Sequence, residues 1–124
     1  MTDVALVALG GIAGAVARYE VGKWSARHFS GSIPVATLLI NFAGSLVIGF
    51  FLIWTTDRVL ADPRWRLLVA VGFCGAFTTF SSYAFETFKL AEQGALSLAL
   101  MNILANNIAA LAAVVMGAVA ARRI

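Results

Sequence analysis

The residues with the most chemical potential in this sequence stand together: Gly72-Phe-Cys-Gly75-Ala-Phe-Thr78-Thr79-Phe80-Ser81-Ser82-Tyr83. The stretch holds two glycines, four hydroxyls (Thr78, Thr79, Ser81, Ser82) and aromatics at every third position, Phe77, Phe80 and Tyr83. Hydroxyl side chains compete with the backbone for hydrogen bonds, and with nearby glycines they can release carbonyls from a helical ladder. Inside a bilayer such carbonyls need protein, water or an ion as partner, and interrupted helices mark ion sites for that reason. Ring edges are the positive part of the aromatic quadrupole, so edges facing a path attract an anion weakly. The same stretch also reads as a continuous helix with its aromatics toward lipid.

Other polar residues lie inside apolar runs. Asn41 is one, and Asn102, Asn106 and Asn107 form a second group. Asn102 and Asn106 are four apart and share a helix face. They read either as interhelical glue or as uncharged amide donors lining an anion path. Glu86 follows Ser82 by four residues on one face, as a proton-coupled carboxylate, a neighbour of the hydroxyl row or an interfacial group. Arg18 ends the first apolar run and either snorkels to the interface or makes an electropositive vestibule.

These groups need a scaffold, and composition names it. Of 124 residues, 61% are hydrophobic and 12% charged, against roughly 45–50% and about 25% in soluble domains. Mean hydropathy is +0.92. A chain this short has no core large enough for that apolar surface. Runs of about 20 apolar residues are long enough to span a bilayer. Four are expected, at roughly 4–21, 35–54, 67–91 and 95–121, in one domain over 1–124. Gly22 to Pro34 reads as a polar loop, Trp54 as an interface anchor and Glu92-Gln93-Gly94 as a tight turn. Small residues repeat every four positions as Ala105, Ala109, Ala113, Gly117 and Ala121, with Gly10 and Gly14, and with Ser45 and Gly49. This spacing is expected at helix contacts.

The net charge is +3. Its Lys and Arg residues sit between apolar runs, which favours lipid headgroups over nucleic acid as their partner. Arg58, Arg64, Arg66, Arg122 and Arg123 fall on one side of the membrane, and Arg18, Lys23, Arg27 and Lys89 on the other. That balance gives almost no orientation signal. It leaves open a single weakly biased orientation or dual topology, in which copies insert both ways and pair antiparallel. Cys74 is the sole cysteine, which excludes an intrachain disulfide. Asp3 sits where a signal peptide would be positive, so no cleaved leader is expected. One histidine, one cysteine and no nucleotide-binding loop argue against an enzyme.

The sequence resembles the Fluc (CrcB) family of fluoride channels over nearly its whole length. The resemblance rests on Gly10-Gly-Ile-Ala-Gly14-Ala-Val-Ala-Arg18-Tyr19, on Thr37-Leu-Leu-Ile-Asn41-Phe-Ala-Gly44-Ser45, and on Gly72 through Glu86. It implies an all-α membrane protein of four transmembrane helices with a break in the third near 75–82, assembled as an antiparallel dual-topology homodimer in the plasma (inner) membrane. It also implies two fluoride pores and a structural sodium ion (Na+) at the dimer interface, held by the backbone carbonyls of Gly75 and Thr78. The implied anion pathway comprises Asn41, Phe80, Ser81, Ser82, Tyr83, Glu86, Asn102, Asn106 and Arg18. Three departures stand out: Ala76 for a second glycine, Ser82 for a threonine, and Tyr83 for a second phenylalanine. The phenol of Tyr83 adds a hydroxyl able to reach the ion. Two alternatives remain from the residues alone. A proton-coupled small multidrug transporter would need a carboxylate deep in an early helix, and the first two runs have none. A structural membrane subunit would carry no flux of its own.

Overall fold

A computed structural model describes residues 2–57 and 62–124. Arg58, one of the charges counted above, lies outside the described residues. Four helical segments are long and apolar enough to cross a membrane: Asp3–His28, Val35–Asp57, Pro63–Glu92 and Leu96–Arg123. Among the described residues there is no strand. This is a multi-pass, all-helical membrane protein. Large side chains such as Val4, Ile12, Leu111 and Val115 are exposed, because lipid rather than a core is their solvent.

The first helix, α1 (Asp3–His28), starts where the Thr2 hydroxyl accepts the Ala5 amide at 3.3 Å. It corrects the expected loop at Gly22 to Pro34. The helix continues to His28, and only residues 29–34 connect it to α2 (Val35–Asp57). A single helical glycine costs only about 1 kcal/mol, so Gly22 does not stop the helix. Lys23 pairs with Glu20 one turn back at 3.0 Å, and Trp24 stacks on His28 with centroids 4.9 Å apart. Ser30, Gly31, Ser32 and Pro34 supply the turn residues that end it.

The third crossing is built from pieces. Asp62 caps α3 (Pro63–Trp65) by accepting the Arg64 amide at 2.9 Å. Arg66–Cys74 then runs as a π-helix, a widened form often found near functional sites, and α4 (Gly75–Phe77) adds one α-turn. Thr78 (φ −75°, ψ 156°) and Thr79 (φ −148°, ψ 115°) are extended. The helix restarts as α5 (Phe80–Glu92). The break expected between 75 and 82 therefore sits at the two threonines. Both are β-branched and tolerate extended backbone well. Both hydroxyls also finish a helix end. Thr78 Oγ1 donates to the Cys74 carbonyl at 2.8 Å, and Thr79 Oγ1 accepts the Ser82 amide at 3.1 Å as the N-cap of α5.

After α5, Gly94 takes φ 77°. The Ala95 amide bonds the Leu90 carbonyl and the Gly94 amide bonds the Ala91 carbonyl, a closure that favours glycine at the left-handed position. The last helix, α6 (Leu96–Arg123), returns beside α2.

Two seams hold the bundle. Along one, α1 lies on the π-helical stretch, and a Cβ on Gly10 would strike the Leu68 carbonyl while one on Gly72 would meet Val7 and Gly10. Along the other, α2 lies on α6, and a Cβ on Gly49 or Gly117 would strike backbone of the facing helix. Ala113, at 0% exposure, sits in this second seam. The small-residue stripe of α6 is only partly the contact. Ala113, Gly117 and Ala121 are buried, while Ala105 and Ala109 are half-buried and Ala99, Asn102 and Asn106 take over the inner face. At 3.6 residues per turn a strict four-residue repeat drifts by about 40° per step. It therefore leaves the buried face within a few repeats.

Candidate functional site

The break exposes one residue's backbone to be partnered from outside, and α2 supplies the partner. Thr37, Asn41 and Gly44 follow helical spacing along α2 and face the third crossing. Asn41 Oδ1 accepts the Thr79 amide at 2.9 Å, and Asn41 Nδ2 donates to the Thr79 carbonyl at 3.2 Å. The side-chain amide thus pairs both backbone groups of a single extended residue, as a neighbouring β-strand would. In an unbroken helix the Thr79 amide would bond the Gly75 carbonyl; here that carbonyl is released. Gly44 leaves room beside the break, since a Cβ there would strike the Thr78 methyl.

From Asn41 a line of donors runs one way through the protein. Asn41 Nδ2 donates to Asn106 Oδ1 at 3.1 Å, and Asn106 Nδ2 to Asn102 Oδ1 at 2.9 Å. Asn102 Nδ2 donates to Thr87 Oγ1 at 2.9 Å, and Thr87 Oγ1 to the Tyr83 carbonyl at 2.8 Å. Asn102 and Asn106 are each 4% exposed. Asn106 also donates to the Asn102 carbonyl. The amino groups of Asn41 and Asn106 are each engaged twice, so both act here as internal clamps between α2, the third crossing and α6.

A cavity of about 410 Å³ opens at the break. It gathers Asn41, Gly75, Thr78, Phe80, Tyr83 and Asn106 from the expected site, together with Asn107. Phe80 and Tyr83 meet edge to face, centroids 5.2 Å apart at 64°. Phe80 is 77% exposed and Gly75 is exposed. Ser81 and Ser82 are exposed beside the cavity; their hydroxyls meet Thr79 Oγ1 at 3.4 and 3.0 Å. Arg18 reaches from α1 to the Thr78 carbonyl, with Nη1 at 3.4 Å.

Glu86 stands apart from that cavity. Thr37 Oγ1 donates to Glu86 Oε1 at 2.6 Å, and Oε2 is buried with no hydrogen-bond partner among the described residues. Glu86 lines a smaller hollow of about 270 Å³ with Lys89, Gln93 and the 31–34 connection. Asn102 also lies away from the cavity at the break and is linked to it through Asn106.

Reading the sequence alone gave no role to Thr37 or Thr87, counted Thr79 only as one hydroxyl of the break, and counted Asn107 only as one of the polar residues of the fourth run. The only linear signal for Thr37 was its helical spacing from Asn41. Thr79 needed recognition as an N-cap, with Ser82 three residues on.

The sequence profile of the family described as CrcB-like protein, Camphor Resistance (CrcB), matches residues 5–118. The chain belongs to the CrcB-like family. Its relatives include a protein of Koribacter versatilis named Fluoride-specific ion channel FluC, 56% identical over 108 residues, which cover 87% of this chain and 86% of the relative. A Sulfurihydrogenibium protein of the same name is 42% identical over 106 residues, 86% of each chain. One from Agrobacterium fabrum, again so named, is 42% identical over 117 residues, 94% of each. In this member of the CrcB-like family, the three stretches Gly10–Tyr19, Thr37–Ser45 and Gly72–Glu86 fall on the helices that meet at the break.

Proposed function

We propose that this chain is a passive fluoride channel of the plasma (inner) membrane that works as an antiparallel homodimer with two pores. The observation that carries the reading is the Thr78–Thr79 break, clamped by Asn41 and flanked by the edge-to-face pair of exposed Phe80 and half-buried Tyr83, in a family whose curated relatives are named fluoride-specific channels. Fluoride that enters a cell as neutral HF dissociates in near-neutral cytoplasm and is trapped as the anion. A channel lets it leave down its electrochemical gradient, with no catalytic step. Selectivity comes from donors that replace the hydration shell in a narrow path.

The pairing is supported by what the single chain leaves uncovered. Gly75, Phe80, Ser81, Ser82 and Asn107 are exposed in or beside the middle of long crossings. Irregular backbone does not face lipid; protein or a water-filled path covers it. A second copy is the natural cover. With nearly balanced loop charges, it would insert in the opposite sense. In this reading the edges of Phe80 and Tyr83 and the hydroxyls of Ser81 and Ser82 touch the anion. Asn41, Asn102 and Asn106 hold the path together, Glu86 flanks it, and Arg18 adds positive potential.

The donor set also fits the implied sodium. The Gly75 carbonyl is released from the helix and shares a cavity with Thr78, whose own carbonyl keeps a second lone pair beside its bond from Arg18. Neutral carbonyl oxygens suit a hard cation, and among the described residues no group of three His, Cys, Asp or Glu side chains offers a charged alternative. When bound, the ion would join the backbones of two copies without placing a carboxylate near the anions.

The test is flux from liposomes holding the purified protein. Rapid fluoride release with almost no chloride release is expected; equal release of both rejects the reading. A tag on the C-terminus should be found on both faces of the membrane, and its confinement to one face would reject the antiparallel pair.

A further inference from the structure

Asn107 and Tyr83 form a bonded pair to which the channel reading assigns no joint purpose. Asn107 is exposed well inside α6, where a side chain facing lipid would be apolar. Its Nδ2 donates to the Ile103 carbonyl at 2.8 Å and to the Tyr83 phenol oxygen at 3.2 Å. A backbone carbonyl only accepts, so the amino end of the amide must face Ile103. That same amino group meets Tyr83, which makes the phenol oxygen the acceptor in the bond. A phenol carries one O–H. Its proton is therefore turned away from Asn107. Both residues line the cavity that holds Phe80 and the released Gly75 carbonyl, and Phe80 stands edge to face against the Tyr83 ring.

We propose that Asn107 is a positioning residue that holds the Tyr83 phenol as a fixed O–H donor to the permeating anion. The inference rests on the fluoride-channel reading and deepens it. Fluoride is compact and a strong acceptor, so one fixed hydroxyl favours it over larger, weaker acceptors. A donor to a charged partner forms one of the stronger protein hydrogen bonds. Conduction also requires that the ion leave, so a deeper well slows each passage. This chain should bind fluoride more tightly and release it more slowly than it would with two plain rings.

The test measures fluoride release from liposomes over a range of fluoride concentrations. Tyr83→Phe should raise both the maximal rate and the half-saturating concentration, each by about tenfold. Asn107→Leu should move the half-saturating concentration the same way by a smaller factor. Added to Tyr83→Phe it should change nothing further, because Asn107 acts through the phenol. A purely structural Asn107 would leave half-saturation alone and add its effect to the double variant. An unchanged half-saturating concentration in Tyr83→Phe, or additivity in the double variant, overturns the proposal. If Asn107→Leu does not assemble, Tyr83→Phe decides alone. An unmutated chain that passes no fluoride would instead reject the channel reading itself, before any variant is compared.

Discussion

The seam between α2 and α6 and the break at Thr78–Thr79 solve one problem in opposite ways. Each must bring polar backbone safely through a medium without water. At the seam, Gly49 and Gly117 remove side chains so that two intact helices touch, and each ladder satisfies itself. At the break the ladder is cut, and Asn41 restores both bonds of Thr79 from another helix. The first solution depends on shape and tolerates no added atom. The second depends on hydrogen-bond chemistry and leaves a carbonyl and two rings available to a ligand. The difference separates the part of the molecule that is only scaffold from the part that can act.

The seam should be the more easily broken. Gly117→Leu places a side chain against the Leu46 carbonyl and the Phe50 amide. Overpacking of this kind costs about 3 kcal/mol or more where backbone cannot yield. The variant should not be recovered as a monodisperse protein on size-exclusion chromatography. Asn41→Leu comes next. It strands both backbone groups of Thr79 and the side-chain oxygen (Oδ1) of Asn106, for a loss of about 2–3 kcal/mol. Thermal unfolding in detergent should show the loss, and fluoride flux should fall with it. Thr79→Val keeps the branched shape and removes the cap of α5, at about 1 kcal/mol. Flux retained at a lower melting temperature would fit. Phe80→Ile is the sharpest contrast. Phe80 is exposed in the single chain, so the fold of that chain should lose less than about 0.5 kcal/mol, while fluoride release slows. Unchanged release would remove Phe80 from the path.

Much of this arrangement was legible in the sequence. Apolar runs revealed the crossings; the clustered hydroxyls left a break or a continuous helix open, and the family resemblance placed the break within a few residues. Gly22 misled because a glycine that ends a helix and one that a helix merely tolerates look alike without the next turn. The π-helical stretch left no mark, since its residues are as apolar as those of any spanning helix. Asn41, Asn102 and Asn106 were visible as polar intruders. Their partners were not, because the register between helices far apart in sequence is set by packing. That register is what bonds these amides to one another, the interhelical role that the sequence had left open beside that of anion donors.

The line from Asn41 through Asn106, Asn102 and Thr87 to the Tyr83 carbonyl has a direction. Every amide in it gives with one end and receives with the other. Reversing a single member would set acceptor against acceptor on one side and donor against donor on the other. Such a line should change as a block, because a substitution at one position leaves its neighbours' groups unpaired. Drift in this protein should therefore proceed freely along the lipid-facing residues and in rare, joint jumps along this one.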